Sequence, residues 1–257
     1  MNHQLSFVLA LVRTNLKASV SLRGSFLVQA TLMALNNLLF FIIWWILFDR
    51  FEEIRGWRID DFAALYGIAA GGYGVAMIVG GGVPELARRI EDGDLDTMLT
   101  APKSVLVQAV AAETRPMGWG DLASGVILVA IGGYLSPWLP VAFLLAGVTF
   151  LASGVVLHSA AFWLRQIGGL ARQATEFVIA FSVYPPSLFG SGLKILLYTV
   201  IPAGFVSYLP VELVRDFDPI TLALAIAGTT TYATFAAWLF HRGLRRYASG
   251  NRFGVRA

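Results

Sequence analysis

Residues 24–48 contain no charged side chain, and neither do residues 62–84 or 220–240. A helix crosses the hydrocarbon core of a bilayer with about 20 apolar residues, so each of these runs is long enough to span it. A longer charge-free run, 122–164, is interrupted by Pro137, Trp138 and Pro140. Two prolines beside a tryptophan predict a tight turn at a membrane interface, and hence a helical hairpin. Two shorter runs, 177–193 and 195–211, flank Lys194. Across all 257 residues, 57% are apolar and 14% are charged, and the mean hydropathy is +0.69. A soluble domain carries about 25% charged residues. The composition therefore excludes a disordered chain, a fibrous chain and an ordinary globular enzyme. The first apolar run is too long for a cleavable signal peptide and is followed by no small-residue cleavage site.

The chain has no cysteine, which removes disulfides, thiolate metal sites and thiol catalysis. His3, His158 and His241 lie too far apart to suggest a local metal cluster. The net charge of +3 is too small to argue for a nucleic-acid partner. Its placement carries more information. With six spans and both termini in the cytoplasm, only Arg50, Arg55, Arg58, Lys194 and Arg215 fall outside, and every other Lys and Arg within reach of a span falls inside. If both runs around Lys194 crossed, the basic tail would end outside. One of them is therefore expected to dip into the outer leaflet and return. Such backbone survives at membrane depth only where protein or water covers it.

The expected architecture is an all-α membrane protein forming one domain. Its six transmembrane helices fall at roughly 25–48, 62–83, 113–135, 138–164, 173–190 and 219–241, with a re-entrant segment at 193–211. Residues 3–23 place Val8, Leu9, Val12 and Leu16 near one helical face and Arg13 and Lys17 on another, which predicts a helix lying on the inner membrane surface. A short charged helix is expected at 84–93. Pro84 suits its first turn, and Glu85 sits at the positive dipole end. Leu86 and Ile90 form an apolar stripe that wants a partner. Gly93 suits the C-terminal cap.

Several polar residues lie in or near the spans. Glu113, Arg115 and Asp121 fall where the third span enters the membrane; an interfacial ion network of Asp121 with Arg115 is preferred over a proton or substrate site. His158 is expected to be satisfied by a neighbour. Asn36 and Asn37, in the middle of the first span, must face protein or water; a helix–helix hydrogen bond is preferred over pathway lining. Gly67 and Gly71 fit a small-xxx-small pattern, which is common in a membrane chain with 26 glycines. Trp44, Trp45, Trp57, Trp138, Trp163 and Trp238 read as interfacial anchors.

Gly93-Asp94-Leu95-Asp96, followed by Leu99 and Pro102, resembles the G-[ED]-L-D-x-x-L-x-x-P stretch of type-2 ABC export permeases. Tyr184-Pro185 and the run from Ile201 through Pro202, Phe205, Tyr208 and Pro210 resemble that group's stretch before its last span. The resemblance implies that Pro84, Glu85, Leu86, Arg88, Arg89, Ile90, Glu91, Gly93, Asp94, Leu95 and Asp96 form a coupling helix that docks on a separate ATPase subunit. It also implies that Pro202, Phe205, Tyr208 and Pro210 belong to an outward gate. The permease would work beside a second copy or a related permease, in the bacterial cytoplasmic membrane. ATP and Mg would be bound by the partner: Gly80-Gly81-Gly82-Val83-Pro84 lacks the Gly-Lys-Ser/Thr ending of a phosphate loop, so this chain would hold no cofactor and catalyse no bond change. The paired carboxylates or histidines of an intramembrane enzyme are not seen at useful spacing. An ion-coupled carrier would have only Asp121 as its buried acid. The apolar spans favour hydrophobic or amphipathic cargo.

Overall fold

The computed structural model describes residues 2–247, and side chains from residue 10 onward. The described residues are helical and contain no strand; one isolated bridge joins Ile54 to Trp57. In chain order the helices are α1 (Asn2–Ser21), α2 (Arg23–Phe51), α3 (Ile59–Gly80), α4 (Leu86–Asp92), α5 (Leu95–Leu99), α6 (Val105–Val110), α7 (Met117–Ile131), α8 (Leu139–Ser159), α9 (Gly168–Ser182), α10 (Ser191–Thr199), α11 (Leu209–Arg215) and α12 (Pro219–Leu244).

Four of these, α2, α3, α8 with its 3-10 extension to Phe162, and α12, are long and apolar enough to cross a membrane. The bundle is built around α3. Most of its side chains are buried, whereas few of those on α2 and α12 are. Leu27, Leu39 and Ile43 on α2 and Ile220 and Trp238 on α12 are all more than half exposed. An apolar surface of that extent requires lipid or another protein against it.

The α3–α7 contact rests on glycine. A Cβ on Gly67 would meet the Gly125 carbonyl oxygen at 2.8 Å, and one on Gly118 would meet that of Gly74 at the same distance. Their absence lets the two backbones touch. The small-residue pattern around Gly67 and Gly71 therefore has a definite use. Gly71 also admits the Phe143 ring of α8.

Two expected spans are displaced. The third begins only at Met117, because Pro116 precedes the helix and residues 113–116 are irregular. There the Arg115 amide donates to the Met77 carbonyl and the Thr114 hydroxyl to that of Ile78. The helix itself has 15 residues. In place of 173–190, α9 occupies Gly168–Ser182 and includes Arg172 and Glu176. It ends before Tyr184-Pro185-Pro186, whose rings cannot continue it. Ahead of the last span, α10 and the Gly204–Arg215 segment meet at 79°. That bend lies within the run expected to dip and return.

The α1 helix packs its Asn15 amide on the Ala111 carbonyl and its Ser19 hydroxyl on that of Thr114, at 2.9 and 3.2 Å. Arg13 and Lys17 are exposed, while Val12 and Leu16 are partly buried. The side chains of Val8 and Leu9 lie outside the described residues.

Candidate functional site

A 3-10 turn at Val83–Glu85 leads into α4. Gly93 closes α4 with φ +85°, a left-handed conformation that glycine adopts without strain. The expected apolar stripe is present but faces inward. Leu86, Ile90 and Leu95 are buried in a cluster with Val83, Val155 of α8 and Phe240 of α12. This corrects the expectation that the stripe awaits a partner: its own bundle covers it. What remains open is a polar rim with Arg88, Asp92, Asp94, Thr97 and Thr100, and with Leu99 at 48% exposure.

Glu85 is the hub of the rim. Its carboxylate pairs with Arg88 at 3.0 Å, Arg115 at 3.4 Å and Arg172 at 3.3 Å. The hydrogen bond from Arg88, helped by the charges of Arg172 and Arg115 and opposed by partial burial, holds Glu85 below its ordinary pKa of 4.5. Arg89 pairs with Glu113 at 2.6 Å, on the approach to α7. Glu91 accepts the Ile167 amide at 2.9 Å, at the start of α9. So α4 is fastened by side chains to the beginnings of two helices. Asp96 is partly buried.

Within the bundle, Asn37 is buried between α3 and α7. Its Nδ2 donates to Asp121 Oδ1 at 2.8 Å and to Ser124 Oγ at 2.9 Å, while its Oδ1 accepts from Tyr66 at 3.1 Å. The preferred helix–helix bond is thus present for Asn37, whereas Asn36 is exposed beside it. Both border a cavity of 410 Å³. The expected pair of Asp121 with Arg115 is not formed. Arg115 precedes α7 and is taken up by Glu85, Glu113 and the Gly81 carbonyl, whereas Asp121 lies one helical turn inside α7. A second cavity, of 300 Å³, is bordered by Glu85, Arg115, His158 and Arg172, and shares Tyr73, Met117 and Glu176 with the first. His158 is buried, and its Nδ1 has no hydrogen-bond partner, contrary to the expected satisfied histidine.

The bent segment is clamped to the end of α9. Tyr208 donates to the Phe181 carbonyl at 2.8 Å and Ser207 to that of Ser182 at 2.6 Å, satisfying acceptors that a helix C-terminus leaves open. Pro202, Tyr208 and Pro210 are buried and Phe205 is partly so, against Gly228 of α12. These four are packing residues of the bend; none borders the two cavities above.

One cluster escaped the sequence. Arg215 at the end of α11 pairs with Asp61 of α3 at 2.7 Å, and Tyr134 donates to the same carboxylate oxygen at 2.9 Å. The guanidinium also lies 5.7 Å from the Trp57 ring centre and 5.5 Å from that of Tyr134. An acid in the first turn of α3 was the only visible signal, and nothing in the sequence names Arg215 as its partner.

Compared with known families, the chain matches the profile described as ABC-2 family transporter protein over residues 34–250. Neither the comparison with curated proteins nor that with solved structures returned a match.

Proposed function

The chain belongs to the ABC-2 family transporter proteins, and on that footing we propose that it is the permease subunit of an exporter driven by a separate ATPase. It is a multi-pass membrane transport subunit, not itself an enzyme. The reading places it in the bacterial cytoplasmic membrane, with six crossings and both termini inside, as a dimer with itself or a related permease. ATP and Mg act in the partner. The cargo is hydrophobic or amphipathic.

The observation that carries this reading is the fastening of α4. Glu85, Arg89 and Glu91 link one short surface helix to the approaches of both α7 and α9. A displacement of α4 by an ATPase would be handed to two membrane helices at once. ATP would supply the work through the ATPase's different affinity for the two arrangements.

The test is capture of the tagged chain from its native membrane in mild detergent, with every co-purifying chain identified. A stoichiometric ATPase supports the reading, and a second permease beside it makes the assembly a heterodimer. The chain recovered alone would refute it. An ion-coupled carrier retains one observation in its favour, the buried and half-satisfied carboxylate of Asp121. Transport that stops with a protonophore while ATP persists would select that alternative.

A further inference from the structure

The cavity beside Asn37 has an uncompensated charge pattern. Asp121 and Glu176 border it, and among the described residues no Lys, Arg or His does. Asp121 is only 2% exposed. Asn37 occupies its Oδ1, but its Oδ2 is buried without any hydrogen-bond partner. A desolvated carboxylate oxygen lacking a donor is costly, and a donor carrying positive charge relieves that cost best. The rest of the wall includes Phe40, Tyr66 and Tyr73. Aromatic faces attract cations and cover apolar bodies equally well. The volume, 410 Å³, is that of a small-molecule site.

We propose that this cavity binds the protonated amine of an amphipathic organic cation, with Asp121 Oδ2 accepting its N–H and the aromatic wall holding its apolar body. A metal ion is disfavoured, because no group of three metal-ligating side chains occurs among the described residues. The second cavity shares Tyr73, Met117 and Glu176 with the first and is bordered at α4's start by Glu85. There the charges of Arg115 and Arg172 are matched by those of Glu85 and Glu176, so the lining of that cavity presents no net positive barrier to a cation. The inference rests on the permease reading only in making the bound cation the cargo.

The experiment uses the purified full chain in zwitterionic nanodiscs, with empty nanodiscs as the blank. The probe is dansylcadaverine, a primary amine, compared with its N-acetyl derivative, which keeps the fluorophore and loses the charge. The wild-type chain should bind the amine about 10-fold more tightly than the acetylated probe, the scale of a charged hydrogen bond. Asp121→Asn keeps the acceptor for Asn37 and should bring the two affinities together. Glu176→Gln, at an exposed position, should reduce the preference about 3-fold, as a screened charge does. Equal binding of both probes by the wild type overturns the proposal. So does a preference that survives Asp121→Asn, or, should that variant not stay monodisperse, one that Glu176→Gln leaves whole. The readout needs no ATPase. An ATPase captured with no amine preference removes the cargo class and leaves the permease; an amine preference with no ATPase captured does the reverse.

Discussion

Asn37 holds three hydrogen bonds while only 5% exposed. Asn37→Leu removes the one described donor to the Asp121 carboxylate and strands Tyr66 as well. It should cost about 3 kcal/mol, the upper range for a buried acceptor left unpaired. Asn36→Leu, at the exposed neighbour, should stay within about 0.5 kcal/mol. Thermal unfolding of both variants in nanodiscs checks the contrast. Glu85 gives a second expectation, with a definite sign. Its folded-state pKa is below its ordinary 4.5, so the stability it lends is full above that value and is lost as pH falls through the lowered pKa. Glu85→Gln should therefore flatten the acid limb of stability against pH below about 4.5 and leave the neutral plateau without slope. Acid titrations of the melting temperature of both forms would show it. The sequence exposed both asparagines, because amides in an apolar run stand out. It could not choose between them or find Asp121, which lies 84 positions away and on another helix. Arg115 looked the better partner for Asp121 because it is close along the chain. Position relative to the start of α7 decided otherwise.

At the scale of elements, periodicity is more legible than neighbourhood. The spacing of Leu86 and Ile90 announces a face of α4 but not what covers it, and α8 and α12 do so. Runs free of charge likewise marked α2, α3, α8 and α12 well. They misplaced α9, because Arg172 and Glu176 are tolerated within the helix while the prolines after Tyr184 are not. The link between α11 and α3 was out of reach, since Asp61 and Arg215 meet only through the bend before the last span. Arg215→Ala leaves the Asp61 carboxylate, 9% exposed, with Tyr134 and the Arg58 backbone amide as its remaining described partners. The expected loss is about 2 kcal/mol, below the range for a fully buried pair because Arg215 is itself 34% exposed. Arg215→Lys keeps the charge but loses the planar contact with two rings, and should recover only part of it. Chemical denaturation monitored by tryptophan fluorescence resolves the three forms. If the bend gates the exit, Arg215→Ala should also raise passive leak of a small dye from proteoliposomes.

For the whole molecule, the proposed function puts docking and transmission on different residues of one segment, so they can be separated. Leu99 is an exposed leucine on the rim of α5. Leu99→Glu should leave the melting temperature near that of the wild type, as surface substitutions do. A captured ATPase should nonetheless be reduced by about 10-fold or more, the effect of placing a charge in the apolar centre of an interface. Glu91→Ala acts elsewhere. It releases the Ile167 amide, and with it one of the ties between α4 and α9, while leaving Leu99 untouched. Capture of the ATPase should then persist, and ATP hydrolysis with it, while transport per ATP falls. Glu91→Gln, which retains an acceptor for that amide, should restore most of the coupling. Measuring ATP hydrolysis and cargo movement in the same proteoliposomes gives the ratio directly. The glycine contacts of α3 with α7 make those two helices one body, so the tie from Arg89 to Glu113 moves both. The tie through Glu91 moves α9 and the bend clamped to its far end by Ser207 and Tyr208. Under the proposed function, a push on α4 would thereby be divided between the helices that line the two cavities and the segment beyond them. Equal loss of hydrolysis and transport in Glu91→Ala would mean that this tie serves docking, and that the division of the push does not exist.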